Sequence, residues 1–195
     1  MTDEAPTTTT AAEAEQLLRE AGALLEGHFQ LASGKHSSRY VEKFRLLEQP
    51  VQTEALCRLI ADWSLNVSPQ VVTGPTTGGI IISYEVARIL GTRSIFAEKN
   101  EDGPGRAFQR GFVIGAGERV LVVDDVLTTG GSIREVIEAV EELGGAIVGV
   151  AVLVDRASGR TDFGVPFFAC LALDMPAYEA SECPLCGDGV PLKVT

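Results

Sequence analysis

The chain has 195 residues, 45% of them hydrophobic, and a formal charge of −11 at pH 7, which suits one α/β domain with a real core. The acidic balance argues against a nucleic-acid surface, which needs clustered Lys and Arg to displace counterions. It leaves room for a phosphorylated substrate, held by backbone donors, a few basic residues and a divalent cation.

Met1 to Thr10 is polar, with no basic flank and no apolar signal core, so residues 1–10 are expected to form a disordered tail. The longest apolar stretch, Ile147 to Val154, is far too short to span a bilayer, and the chain is expected to be cytoplasmic, with neither membrane nor nucleic acid as a partner. Ala11 to Ala21 reads as a short amphipathic helix with Leu17 and Leu18 inward, ended by Gly22. In Gly27 to Lys43, two strand-like arms, His28–Ala32 and Ser38–Glu42, flank a polar tip at Ser33–Ser37, a hairpin layout. Pro50 opens a helix through about Ser64, and Val71–Thr73 makes a strand ending at Gly74-Pro75. A helix from about Gly79 to Leu90 and a strand at Ser94–Ala97 follow. Glu98 to Arg110 then loses apolar periodicity; this reads as a long loop, and as a lid because it precedes the phosphate-binding strand and carries Lys99 and Arg106. A strand at Val120–Val123, a helix at Ile133–Leu143 and a strand at Ala146–Val154 complete an alternation that favours a parallel sheet with helices on both faces.

Four cysteines in a chain of this kind suggest no disulfide framework. Cys183-Pro-Leu-Cys186 has metal-ligand spacing, but a structural zinc site normally needs four ligands and no second pair follows in the sequence. A tight turn in a C-terminal extension is therefore preferred to a zinc site, including one shared across a dimer.

The most informative stretch is Val120-Leu121-Val122-Val123-Asp124-Asp125-Val126-Leu127-Thr128-Thr129-Gly130-Gly131-Ser132. Its turn lies at the carboxyl end of a buried strand, where open α/β sheets bind ligands, and opens a helix, where unhindered N–H groups favour an anion. Asp124 and Asp125 would repel a bare phosphate, so they ask for hydroxyl donors or a metal beside it; a sugar phosphate meets both demands. A helix cap would need one acid and no double glycine. No P-loop pattern occurs, and Gly115-Ala116-Gly117 lacks the third glycine of a dinucleotide fingerprint.

This motif resembles the 5-phosphoribosyl-1-diphosphate (PRPP) signature of the type I phosphoribosyltransferases. Three further segments resemble orotate phosphoribosyltransferases: Gly27 to Tyr40, similar to a hood over the base; Gly74-Pro75-Thr76-Thr77-Gly78-Gly79-Ile80, similar to the loop that meets pyrophosphate; and Val154-Asp155-Arg156. The resemblance implies an α/β fold of the type I phosphoribosyltransferase kind, with a central mostly parallel sheet, helices on both faces, a small N-terminal hood and a flexible lid loop. It implies one domain over 11–195, with the hood at about 22–48, the core at about 50–175 and the C-terminal extension at about 176–195. The implied reaction is Mg²⁺-dependent transfer of phosphoribosyl from PRPP to orotate. PRPP would be held by Lys99, Asp124, Asp125, Val126, Leu127, Thr128, Thr129, Gly130, Gly131 and Ser132, and orotate by Thr128 and Arg156. Lys99, Asp124 and Asp125 would be catalytic. Mg²⁺ would be held mainly by substrate, with the two acids nearby rather than as its direct ligands. A homodimer sharing its lids across the interface is also implied.

The chemistry of Arg156 has its own logic, since a planar guanidinium can bind a fixed carboxylate through two parallel hydrogen bonds. The lid departs from the family pattern: Phe96-Ala97-Glu98-Lys99 keeps one of two adjacent bases, and a later Lys and His have no counterpart, leaving Arg106 and Arg110 as substitutes. A transferase for a purine base and a non-catalytic PRPP-sensing regulator are the alternative readings.

Overall fold

A computed structural model describes residues 11–195 apart from Asp102 and Ser158. The tail expected over residues 1–10 lies outside the described residues.

Helix α1 (Ala11–Glu20) buries Ala14 and Leu18, and Gly22, at φ 66°, turns the chain into the first strand. Strands β1 (Leu24–Gln30) and β2 (His36–Val41) form the expected antiparallel hairpin. Each begins earlier than its apolar arm suggested, and Leu24 is buried in the core. A five-residue helix, α2 (Lys43–Leu47), had no legible sequence signal, since five residues cannot display a helical period. Its first turn is capped by Glu42, whose carboxylate accepts from Phe44 N at 3.3 Å. Helix α3 (Pro50–Ser64) starts on Pro50, as expected.

The alternating core follows: β3 (Val71–Pro75), α4 (Gly78–Leu90), β4 (Arg93–Lys99), the two-residue β5 (Arg106–Ala107), β6 (Arg119–Leu127), α5 (Gly131–Glu142), β7 (Ala146–Asp155) and β8 (Phe167–Ala172). These six strands make one sheet in the order β5-β4-β3-β6-β7-β8, parallel except for β5. The strands are buried on both faces, and the alternation of side chains along β6 divides the core in two. Leu121 and Val123 pack with Leu56 and Ile60 of α3 and Ile82 and Val86 of α4. Val120 and Val122 pack with Ile133, Val136 and Val140 of α5. The sheet is thus covered by helices on both faces.

Two features of the core went beyond the sequence pattern. Strand β6 runs on to Leu127, so Asp124 and Asp125 lie within the strand rather than after it. Strand β8 is a continuous apolar run, Phe167-Phe168-Ala169-Cys170-Leu171-Ala172, whose character is settled only by its pairing with β7.

The C-terminal segment, expected as an extension at about 176–195, is built into the hood. Strand β9 (Ala177–Tyr178) pairs antiparallel with β2. A 3-10 turn at Ala180–Glu182 and the short helix α6 (Pro184–Gly187) follow, and β10 (Lys193–Val194) runs parallel to β1. The hood is therefore a four-stranded sheet, β10-β1-β2-β9, drawn from both ends of the chain. No helix among the described residues is long and apolar enough to cross a membrane.

Candidate active site

The chain passes from β3 through α4 to β4 on one side, then returns so that β6 lies on the other side of β3. Ligands of open α/β sheets bind at such a switch point, beyond the carboxyl ends of the strands. Two of the segments singled out in the sequence end there: Pro75-Thr76-Thr77-Gly78 after β3, and Asp124 to Ser132 at the end of β6. They line a cavity of about 540 Å³, roofed by Tyr40 and Ala32 of the hood and closed on one side by Arg156.

The two acids are nearly buried, Asp124 at 9% and Asp125 at 3% exposure. Their side chains accept from the local backbone, Asp124 Oδ1 from Asp125 N at 2.8 Å and Asp125 Oδ1 from Val126 N at 2.7 Å. Asp125 also meets Lys43 Nζ, 2.9 Å from Oδ2 and 3.2 Å from Oδ1. Burial, and next the adjacent charge of Asp125, push the Asp124 carboxyl up to about 7. This pair is therefore poised to receive hydroxyl donors or a cation, either of which would favour the ionised form.

The turn behind the acids is shaped for an anion. Gly130 takes φ 81°, a left-handed conformation that admits glycine without strain, and Gly131 starts α5. Thr128, Thr129, Gly130, Gly131 and Ser132 line a recess of about 60 Å³ at the N-terminus of that helix. Leu127 borders the same recess, but its side chain is buried among Ile133 and Val136, so it can offer a ligand only backbone. Val126 and Thr128 also face the larger cavity.

Gly78 fits the loop after β3 against the acids, because a β-carbon there would overlap the Asp125 carboxylate. The Thr76–Thr77 peptide is cis.

Arg156 follows β7, with its N–H bonded to Leu127 O at 2.9 Å. The loop beyond it is held by buried Asp155, which accepts from Ala157 N at 2.7 Å and Gly159 N at 2.9 Å. Arg156 Nε is buried without a hydrogen-bond partner among the described residues, and burial lowers the pKa of the guanidinium. A cation left in that condition calls for an acceptor, and a carboxylate matches its fork.

The lid residues are distributed differently from expectation. The segment after Lys99 is not wholly irregular: Lys99 pairs with Arg106 and Glu98 with Ala107 across a narrow hairpin. Arg106 is buried, bonds Glu135 at 3.1 Å and donates to Thr76 Oγ1 at 3.1 Å. It buttresses the loop after β3 and is not a free lid cation. Arg110 is tied to Glu98 at 2.8 Å. Lys99 is exposed at the end of β4 and does not line the cavity of its own chain.

Sequence reasoning passed over Lys43, whose only signal was its position just after the second hood strand, and Thr195, which reaches the cavity from the last residue of the chain.

The model of the phosphoribosyl transferase domain matches residues 46–184. The chain is 49% identical over 177 residues to the orotate phosphoribosyltransferase of Caldicellulosiruptor saccharolyticus, covering 91% of this chain and 92% of that protein. The chain belongs to the orotate phosphoribosyltransferase family. The orotate phosphoribosyltransferase of Thermotoga maritima is 48% identical over 179 residues, 92% of this chain and 95% of its own. Among solved structures, the orotate phosphoribosyltransferase of Aeropyrum pernix superposes with a TM-score of 0.71 at 30% identity, over 81% of this chain and 92% of that one. Membership of the orotate phosphoribosyltransferase family makes the chain a pentosyltransferase and accounts for both the mostly parallel sheet and the paired acids at its switch point.

Proposed function

We propose that this cavity transfers the 5-phosphoribosyl group of PRPP to N1 of orotate, giving orotidine 5'-phosphate and pyrophosphate, as a step of pyrimidine biosynthesis. The observation that carries the choice of base is Arg156. Its buried Nε lacks a partner among the described residues, on the wall of the same cavity that holds Asp124 and Asp125, and orotate is a base that brings a carboxylate.

Each part of PRPP has a matching surface. The 5-phosphate suits the recess of Thr128 to Ser132, where backbone N–H groups and hydroxyls gather at a helix N-terminus. The ribose hydroxyls suit Asp124 and Asp125, which can only accept once ionised. Pyrophosphate suits the Thr76-Thr77-Gly78 loop, with Lys43 beside it. Tyr40, stacked on Phe29 with ring centroids 5.7 Å apart, gives the base an apolar roof.

The raised proton affinity of Asp124 and the neighbouring carboxylate fit a divalent cation close to the ribose hydroxyls. Mg²⁺ bound with PRPP would supply Lewis-acid neutralisation of the leaving pyrophosphate, with Asp124 and Asp125 close by to hold it. As the bond to pyrophosphate breaks, positive charge grows on the ribose ring, and Asp124 and Asp125 stabilise it. Arg156 orients orotate so that N1 faces the anomeric carbon.

Lys99 is assigned to the site of a neighbouring subunit, in a homodimer whose lids cross the interface. Its exposure at a hairpin base, outside its own cavity, supports that role. So does an apolar groove formed by Leu47, Pro50, Ile80, Ile81 and Tyr84 beside the pyrophosphate loop, with Tyr84 65% exposed.

The test is steady-state kinetics with orotate, PRPP and Mg²⁺. Arg156→Ala should raise the KM for orotate by about 10–100-fold, the worth of a charge-assisted hydrogen bond, and leave that for PRPP nearly unchanged. Equal losses for both substrates would remove Arg156 from the base site.

A further inference from the structure

Both histidines of the chain and two of its four cysteines meet at one point, away from the cavity. His28 comes from β1, His36 from β2, and Cys183 and Cys186 bracket the start and body of α6. The Cys-Pro-Leu-Cys spacing lacks a second ligand pair in sequence. The hood supplies that pair in space, from about 150 residues upstream.

His28 Nε2 lies 3.0 Å from His36 Nδ1, 3.4 Å from Cys183 Sγ and 3.8 Å from Cys186 Sγ, and Cys186 Sγ lies 3.3 Å from His36 Nδ1. All four candidate ligand atoms fall within 4.8 Å of one another. Tetrahedral zinc, with about 2.0–2.1 Å to nitrogen and about 2.3 Å to sulfur, separates its ligands by roughly 3.3–3.8 Å. The set also has an outer support. His28 Nδ1 donates to Val190 O at 2.8 Å, which places the proton on Nδ1 and leaves Nε2 as a lone pair turned into the cluster. His28, His36 and Cys183 are buried, at 1%, 4% and 5% exposure. In that setting two ring nitrogens and two sulfurs face one another with few protons to share, whereas one cation satisfies all four.

We propose that His28, His36, Cys183 and Cys186 bind one zinc ion per chain as a closed structural site. Two imidazoles and two thiolates are a borderline-to-soft donor set, which selects zinc over Mg²⁺. The two thiolate charges balance the ion, so its burial costs little. Four protein ligands leave no open position for water, which separates this site from the transferase chemistry. The ion joins the hairpin of the hood to the C-terminal segment, reinforcing the short β9 and β10 pairings at the place where two residues each could not hold alone. Phe29, next to His28, stacks on the Tyr40 that roofs the cavity, and Thr195 lines it; the staple therefore holds the roof in place.

The experiment is metal analysis of the untagged full-length protein, purified in reductant and dialysed against zinc and then metal-free buffer. One zinc per chain is expected, with a mercurial thiol reagent releasing it stoichiometrically to a chromogenic chelator. Cobalt loaded in its place should show the intense visible bands of a tetrahedral site and sulfur-to-metal charge transfer. Cys186 is exposed, so Cys186→Ser should fold; it should lose most of the zinc and the charge-transfer intensity, and melt at a lower temperature. Wild-type protein that holds no zinc after loading would overturn the proposal, as would a metal content unchanged by Cys186→Ser, or a metal-free protein whose intact mass shows a Cys183–Cys186 disulfide. None of these readouts depends on which base is the substrate.

Discussion

Asp124 and Asp125 are adjacent in sequence and occupy different electrostatic situations. Both are buried; Asp125 has Lys43 within ion-pair distance, whereas at Asp124 burial and the neighbour's charge oppose ionisation. The Asp124 carboxyl therefore rises from the ordinary 3.8 to about 7. A folded-state pKa above the unfolded value means that folding favours the protonated acid. On this account the unliganded protein loses stability as pH rises through the window from about 4 to about 7. Substrate hydroxyls and a cation favour the carboxylate, so PRPP with Mg²⁺ should bind more tightly as pH rises towards 7, by up to about tenfold per pH unit for one proton released. Calorimetry in buffers of different ionisation enthalpy would detect that proton, and Asp124→Asn should abolish the pH-dependent part that the ligand's own phosphates do not supply. An unaltered pH profile in the variant would place the titrating group elsewhere.

Among the elements, β3, α4 and β6 set the site by close approach of backbone. Gly78 opens α4 with no room for a side chain, because the Asp125 carboxylate fills that space. Gly78→Ala should displace Asp125 and lower kcat/KM for PRPP by about 10²-fold, the scale of a misplaced transition-state contact. The fold should persist, since the added methyl meets the side chains of Asp125 and Leu47 and no backbone; far-ultraviolet circular dichroism would check this, and wild-type turnover in the variant would refute the close fit. The element least visible in the sequence was the hairpin after β4. Its two residues of pairing carry no period, and Arg106 looks in sequence like a solvated loop cation. Only the fold turns its guanidinium inward to Glu135 and Thr76.

For the whole molecule, the hood and the core are tied together by the chain's two ends, and in the proposed homodimer a second copy would complete the site. Tyr84 and Ile81 expose apolar surface next to the loop after β3, and burying it would favour the proposed dimer. Tyr84→Glu should yield monomers by analytical ultracentrifugation and depress turnover; dimers of normal activity would move the interface to another face. Lys99→Ala and Asp125→Asn should each be nearly inactive, and mixing them after subunit exchange should restore up to about a quarter of the wild-type sites, because only sites with both residues intact can act. Failure of the mixture to recover would put Lys99 in its own subunit's site.

Local chemistry and periodicity determined much of this protein. Buried strands show as unbroken apolar runs, helices as a 3.6-residue repeat, and the turn after β6 as acids, hydroxyls and glycines within one short stretch, so the apolar part of β6, α5 and the turn between them were legible from residues alone. The tertiary structure decided what depends on residues far apart in the chain. It set Lys43 against Asp125, left the Nε of Arg156 without a partner among the described residues, wove the C-terminus into the hood, and brought His28 and His36 to Cys183 and Cys186. Such meetings follow from strand order and chain return, which bring together residues that share no local pattern, and no window of neighbouring residues records them.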